Sequence, residues 1–401
     1  MGFDQHTDSG HRAEFDQVID REGTGALALT RAEHGLPPDA TPLWVADMGF
    51  RTPPAVRRAL SERVEHGIVG YSVPTEGYYG ALAGWFERRH GWPVDARASV
   101  QTRGVVHAVH LAIESLSQPG EGVIVQTPAY PPFFDAVKLT GRRLEVNRLA
   151  RTDRGWEIDF DDFEARARLA AVFILCSPHN PLGRVWTRAE LTRLAEICLK
   201  HQVAIISDEI HQDFVYPPAR HIVTAAIAPE VAAITTTCTA PSKTFNLAGL
   251  QLANVFVGDR AARQRLIAAY RRQGLSQHPA LGLAACQAAY SGAADTWVDA
   301  LVAYLDRNLA LVEQFLAAEA PAVGFIRPQG TYFAWLDFRP LGLDAAELRR
   351  LVAERARLWL SDGPTFGPDG AGFMRLNTAV PRPVLANALA RLAHPGDGPL
   401  V

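Results

Sequence analysis

The sequence predicts an α/β protein: a mostly parallel central sheet covered by helices, with a smaller α+β domain. Three observations carry that reading. Short apolar runs rich in β-branched residues alternate with helical segments up to about residue 293, the rhythm of a parallel sheet covered on both faces. From about Ala294 the alternation stops, and a long amphipathic helix is followed by isolated strands. With 401 residues and 48% apolar side chains, the chain can fill one large core and a second, smaller one.

The elements follow in chain order. A short run around Ser99–Thr102 precedes a helix from Val105 to Leu116, whose Val105, Val109, Ala112, Ile113 and Leu116 share one face. Gly122–Thr127 and Ala171–Cys176 are near-continuous apolar runs of strand length, the pattern of strands buried on both faces. Val203–Ser207, Ala233–Thr237 and Leu252–Gly258 have the same character, and turn-forming clusters end them. Between two of these runs, Thr187-Arg-Ala-Glu190 forms a capping box that opens a helix with Leu191, Leu194, Ala195 and Cys198 inward. Beyond Ala294 a helix reaches Glu319, Tyr332–Asp337 and Phe373–Asn377 read as strands, and Asp344-Ala-Ala-Glu347 caps a further helix. The expected domains are residues 51–293, large, and residues 1–50 with 294–401, small. Repeats, low-complexity tracts and long linkers are absent from the sequence.

Composition removes several classes of function. Lys and Arg total 40 against 43 Asp and Glu, so a net charge of −3 offers no field to recruit nucleic acid or an anionic membrane. The four cysteines, Cys176, Cys198, Cys238 and Cys286, lack C-x-x-C spacing and read as buried thiols of a reducing compartment, so a cytoplasmic protein is expected. Met1–His6 shows no basic stretch leading into an apolar one, and the longest clean apolar run, Leu169–Cys176, is far below a membrane span. His107 and His110 lie on one helix without a third ligand, so no metal is expected.

Chemistry is expected beyond the carboxyl ends of the strands, where open α/β sheets bind ligands. Four successive runs are followed by Pro128-Ala-Tyr130, by Ser177-Pro-His-Asn180-Pro181-Leu182-Gly183, by Asp208-Glu209-Ile-His211, and by a stretch ending Ser242-Lys243-Thr-Phe-Asn246. An amine for a Schiff base, an acid to keep a ring nitrogen protonated and an aromatic face to stack on are what an aldehyde cofactor with a basic ring nitrogen requires.

On these residues the sequence resembles the fold-type I pyridoxal-phosphate enzymes, and more narrowly the MalY/PatB branch of cysteine-S-conjugate β-lyases within the class I/II aminotransferase superfamily. The resemblance runs from Phe15–Arg21 and Trp44–Met48 through His66–Ser72, Thr127–Tyr130, Ser207–His211 and Ser242–Gly249 to Gly372–Asn377. His211, three residues after Asp208 where aminotransferases usually carry Tyr, favours the lyase branch.

The resemblance implies pyridoxal 5′-phosphate as cofactor and a role for each matching residue. Lys243 carries the cofactor as a Schiff base and then removes the substrate Cα proton, a task that burial beside a cationic ring favours. Asp208 pairs with the ring nitrogen, Asn180 bonds the ring oxygen with His211 near it, and Tyr130 stacks on the ring and serves as an acid. The backbone of Val105 and Val106, with Ser242, holds the phosphate. Arg375 takes the substrate carboxylate with its guanidinium fork. Tyr71 crosses into the neighbouring subunit's site, near phosphate and substrate, which makes a homodimer with shared sites the active unit. The implied reaction is elimination of a thiol from an S-substituted cysteine, leaving pyruvate and ammonia.

Several positions depart from the family's pattern. Ala240 and Pro241 stand where a Ser and a Gly are common, leaving Thr239 or Ser242 to supply the missing phosphate hydroxyl, and Gln251 replaces a phosphate-binding Arg. Gly49, Leu182 and Ser361–Gly363 also differ, and they suggest an unusual substrate or a diverted outcome. The competing readings are a decarboxylation-coupled oxidative deaminase of antibiotic biosynthesis, as in the lincosamide pathways, an aminotransferase, and a regulator-binding protein on the same fold.

Overall fold

The structure, a computed structural model, describes residues 14–152 and 155–396. Met1–His6, read above for a leader, lies outside them. The chain divides into two compact units: Thr52–His179 with Arg184–Val298, and the residues up to Arg51 with Asn180–Gly183 and the chain from Asp299 onward.

The larger unit is built on an eight-stranded sheet in the order Val100–Thr102, Ala253–Val257, Thr235–Thr239, Ala204–Asp208, Ala170–Cys176, Gly122–Thr127, Arg143–Thr152 and Gly155–Ile158. The five strands from Thr235–Thr239 to Arg143–Thr152 are parallel. Antiparallel pairs close both ends, so the sheet is mixed. The expected strand at Ala233–Thr237 starts two residues later, because Pro229 opens a one-turn-and-a-half helix that runs to Ile234. The strand that remains, Thr-Thr-Thr-Cys-Thr, is wholly buried and mostly β-branched. The Arg143–Thr152 and Gly155–Ile158 strands escaped sequence reading because the first mixes apolar and polar residues on both faces, burying Glu145 and Asn147 and exposing Leu144, and the second is only four residues long.

The helix Val105–Leu116 covers one face of this sheet, burying Val105, Ala108, Val109, Leu111, Ala112 and Ile113. The helix Arg188–His201 has the capping box the sequence encodes: Glu190 N donates to Thr187 Oγ1, and Thr187 N donates back to Glu190. In the smaller unit Gly324–Phe325, Phe333–Asp337, Phe373–Asn377 and Ser361–Asp362 form a four-stranded antiparallel sheet. Its core gathers Leu43, Val312, Leu336, Leu376, Leu385 and Leu389.

Candidate active site

At the carboxyl edge of the larger unit's sheet, the register sets Cys176, Asp208 and Cys238 level on three adjacent parallel strands. Asp208 ends its strand and is buried, with Oδ1 accepting the Ile210 amide at 3.1 Å. Burial pushes its carboxyl up to about 7, and the Ile210 amide and the charge of Lys243 only partly oppose that. Lys243 is half-buried on the single turn Pro241–Thr244, which leaves the neighbouring strand with a proline in its first turn. Asn246, in the left-handed region at φ 57°, then turns the chain away.

The other expected residues of this unit stand at the same strand ends. Tyr130 is half-buried beyond Gly122–Thr127, edge-on to Phe133 with ring centroids 5.6 Å apart. His211 is buried, its ring tilted against Phe214. Val105 and Val106 open their helix behind Gly104, whose φ of 105° favours glycine, and no side chain caps that helix. Nothing lies within 4 Å of where a Gly104 Cβ would stand, so the amide end of the helix faces an open cradle. An uncapped helix start suits a phosphate, and a buried carboxyl short of compensating charge suits a protonated ring nitrogen. With a half-buried lysine on the turn after the neighbouring strand, the residues of this edge fit pyridoxal phosphate. Of the two candidate hydroxyls, Thr239 Oγ1 already donates to Asn254 O at 2.9 Å, whereas Ser242 is half-buried beside Lys243. Gln251 is exposed, at φ 49°.

The smaller unit holds the remaining pair. Arg375 sits mid-strand opposite Trp335 and Ser361, and it is buried. Its Nη1 donates to Asn180 Oδ1 at 2.8 Å, and its Nη2 donates to Trp44 O at 2.8 Å and to Ser361 Oγ at 3.2 Å. The rings of Phe333 and Phe366 lie 4.1 and 5.0 Å from its Cζ. Three residues after Asn180, Gly183, at φ 66°, accepts the Gln329 and Gly330 amides at its carbonyl, and Pro328 leaves no room there for a Cβ on residue 183. Neutral oxygens and aromatic faces therefore help fix the guanidinium's orientation.

The departures acquire local explanations here. Ser361 bonds both Arg375 and the Trp44 carbonyl, the latter at 2.9 Å. Gly49 donates to Ala379 O at 2.8 Å, and a Cβ there would stand 3.0 Å from Pro381 Cδ, so the missing side chain answers to packing. Leu182 is buried.

Tyr71 stands apart: it is 92% exposed and is not gathered with the other expected residues. Sequence reasoning also missed several groups. Phe333, Phe366, Trp44 O and Ser361 dress Arg375, and His179, pushed down to about 4 by burial, engages Pro128 O at 2.8 Å. Two buried carboxylate–histidine contacts, Glu209 with His221 and Asp213 with His90, lie in or beside the stretch read for Asp208 and His211. Proximity in the fold is the only signal for these, since their partners are far away in sequence.

Comparison with known proteins decides the family. Residues 42–392 match the class I and II aminotransferase family. The chain belongs to that family. This aminotransferase-family chain is 41% identical to cystathionine beta-lyase PatB of Bacillus subtilis over 382 residues, covering 94% of this chain and 98% of the relative. Its fold superposes on cystalysin of Treponema denticola, a structure containing pyridoxal 5′-phosphate, with a TM-score of 0.91 at 34% identity over 94% of this chain and 97% of that one. The pyridoxal-phosphate-bound C-S lyase of Staphylococcus hominis matches with a TM-score of 0.88 at 30% identity, covering 94% and 96%. The family member thus has the fold-type I architecture, with its mixed eight-stranded sheet and surrounding helices.

Proposed function

We propose that this protein is a pyridoxal-phosphate-dependent carbon–sulfur β-lyase, acting on S-substituted cysteine. The observation that carries the reading is Asp208, a buried carboxyl raised to about 7 at a strand end next in line to Lys243, together with relatives and solved structures that are C–S lyases. When bound, the cofactor supplies an aldehyde for amine capture and a protonated ring that withdraws electrons from the substrate's Cα.

The chain's own residues do the rest. Asp208 Oδ holds the ring nitrogen's proton, Tyr130 supplies an aromatic face, and the Val105 and Val106 amides with Ser242 receive the phosphate. His211 and Asn180 serve the ring oxygen. Arg375 takes the substrate carboxylate, its fork already oriented by Asn180, Trp44 O and Ser361. Lys243 Nζ removes the Cα proton, the Cβ–S bond breaks with its electron pair leaving on sulfur, and water converts the remainder to pyruvate and ammonia.

The active unit is a homodimer in which Tyr71 serves the neighbouring subunit's site. Tyr71 is flanked by exposed Ile68, Val69 and Val73, an apolar segment that a second copy covers. The four cysteines are free and buried, and we place the enzyme in the cytoplasm.

The test is turnover of S-alkyl cysteines and cystathionine by the purified holoenzyme. Thiol and pyruvate in equal amounts are expected, with loss of activity and of the borohydride-sensitive absorbance in Lys243→Ala. Turnover without pyruvate, or carbon dioxide release with oxygen uptake, overturns the reading.

A further inference from the structure

The turn that carries Lys243 is short and weakly held by its own backbone. It is one helical turn, Pro241–Thr244, with no side-chain cap, and its continuing hydrogen bonds are Phe245 N to Pro241 O, Leu247 N to Ser242 O and a long Asn246 N to Lys243 O. A polar tie leaves it at the next residue. Thr244 is fully buried, and its hydroxyl donates to Asp213 Oδ2 at 2.5 Å. Asp213 Oδ1 in turn lies 3.0 Å from Nε2 of His90, the last residue of the helix Glu76–His90. The side chains of His90 and Asp213 are 5% and 2% exposed. Burial alone would raise the Asp213 carboxyl, but its bond and charge interaction with His90, the Thr244 hydroxyl and the Arg89 charge hold it below the usual range.

A second pair sits against the first. The His90 ring meets His221 edge-on at 5.6 Å, and His221 Nε2 is 2.9 Å from Glu209 Oε2. None of these groups has a part in the proposed chemistry, yet a buried polar chain is costly to build unless its members are bonded to one another. This one ends beside Lys243.

We propose that the His90–Asp213–Thr244 chain is a positioning relay that fixes the Lys243 turn, so that Nζ meets carbonyl carbon and substrate proton from a set direction. The proposal rests on the reading of Lys243 as the reactive lysine. A charge-assisted hydroxyl–carboxylate bond is short and directional, and it anchors the turn at the residue next to the lysine without engaging the lysine side chain itself.

The experiment compares Thr244→Val, which keeps shape and removes the hydroxyl, with Thr244→Ser, which restores it, and His90→Gln, which acts at the far end. Two readouts are used: kcat and KM with an S-alkyl cysteine, and the rate at which apoenzyme develops Schiff-base absorbance on adding pyridoxal phosphate. Thr244→Val is expected to lower kcat and the absorbance rate about tenfold or more with KM within about threefold, Thr244→Ser to restore both, and His90→Gln to lower both about threefold. A wild-type kcat and absorbance rate in Thr244→Val overturns the relay, as does failure of Thr244→Ser to rescue. If Thr244→Val does not fold, unchanged rates in His90→Gln overturn it instead. Lys243→Ala separates the two ideas: retained absorbance and turnover there defeats the functional reading, while their loss alongside an unaffected Thr244→Val defeats the relay alone.

Discussion

Asp208 and Glu209 are consecutive carboxylates, both buried, and they behave in opposite ways. Burial raises each. Around Glu209 the cost is more than offset by His221, by the Thr224 amide at 3.0 Å and by the Ser207 hydroxyl at 2.8 Å, so its carboxyl is held below the usual range. Around Asp208 the Ile210 amide and the charge of Lys243 do not suffice, and the carboxyl rises to about 7. A buried carboxyl satisfied by its own chain is scaffold, whereas one left short of positive charge is a socket for a cation from outside. Arg375 has the sign reversed: it is a buried cation whose fork is oriented by Asn180 and the Trp44 carbonyl.

The sharpest way to break this contrast is to neutralise each acid. Asp208→Asn is expected to cut kcat/KM about a thousandfold, on the order of 4 kcal/mol in the barrier. Glu209→Gln is expected to keep turnover within about threefold while costing about 3 kcal/mol of folding stability by chemical denaturation, the penalty of breaking a buried pair. Equal activity losses in the two variants would refute the distinction between socket and scaffold.

A second pressure point is pH. Because the folded pKa of Asp208 lies above its unfolded value, the folded apoenzyme binds the extra proton, and this contribution is fully present below about pH 4 and lost as pH rises through about 7. Apoenzyme stability should therefore decline across that window, by up to about 4 kcal/mol from this group, and the decline should vanish in Asp208→Asn and shrink on loading with pyridoxal phosphate. Glu209 runs the other way, its contribution present above the ordinary carboxylate range and lost as pH falls below it. Thermal melts of apo and loaded protein from about pH 2 to 8 read both signs.

Arg375→Lys tests the reversed case. Losing the planar fork should raise KM about thirtyfold, on the order of 2 kcal/mol, with kcat within about fivefold. The smallest effect expected is at Gly49→Ala, where the contact with Pro381 should cost about 1 kcal/mol of stability and leave KM unchanged. A large KM change there would return Gly49 to the substrate site.

Much of this was legible in the sequence because it is local. The Gly122–Thr127 strand and the Arg188–His201 capping box depend on neighbours within a few residues, and the structure places them where the pattern does. The Ala233–Thr237 run was misread by two residues because Pro229 opens a helix that takes in Ala233 and Ile234, a choice that apolar content alone does not encode. The strand-end residues Tyr130, Asp208 and Lys243 were legible for a related reason, since the chemistry of each motif lies in one short stretch.

By itself the sequence determined the alternation of strands and helices and the family, and it put forward Lys243, Asp208 and Arg375 as candidates for the reactive groups. Only the tertiary structure decided which carboxylates are sockets and which are scaffold, because that depends on histidines 12 and 123 residues away, at His221 and His90. It also decided that Ser361 and Trp44 orient Arg375 and that Gly49 answers to Pro381. Hydrogen bonds and desolvation act over a few ångströms in space, and chain order does not record which distant residues will meet across them.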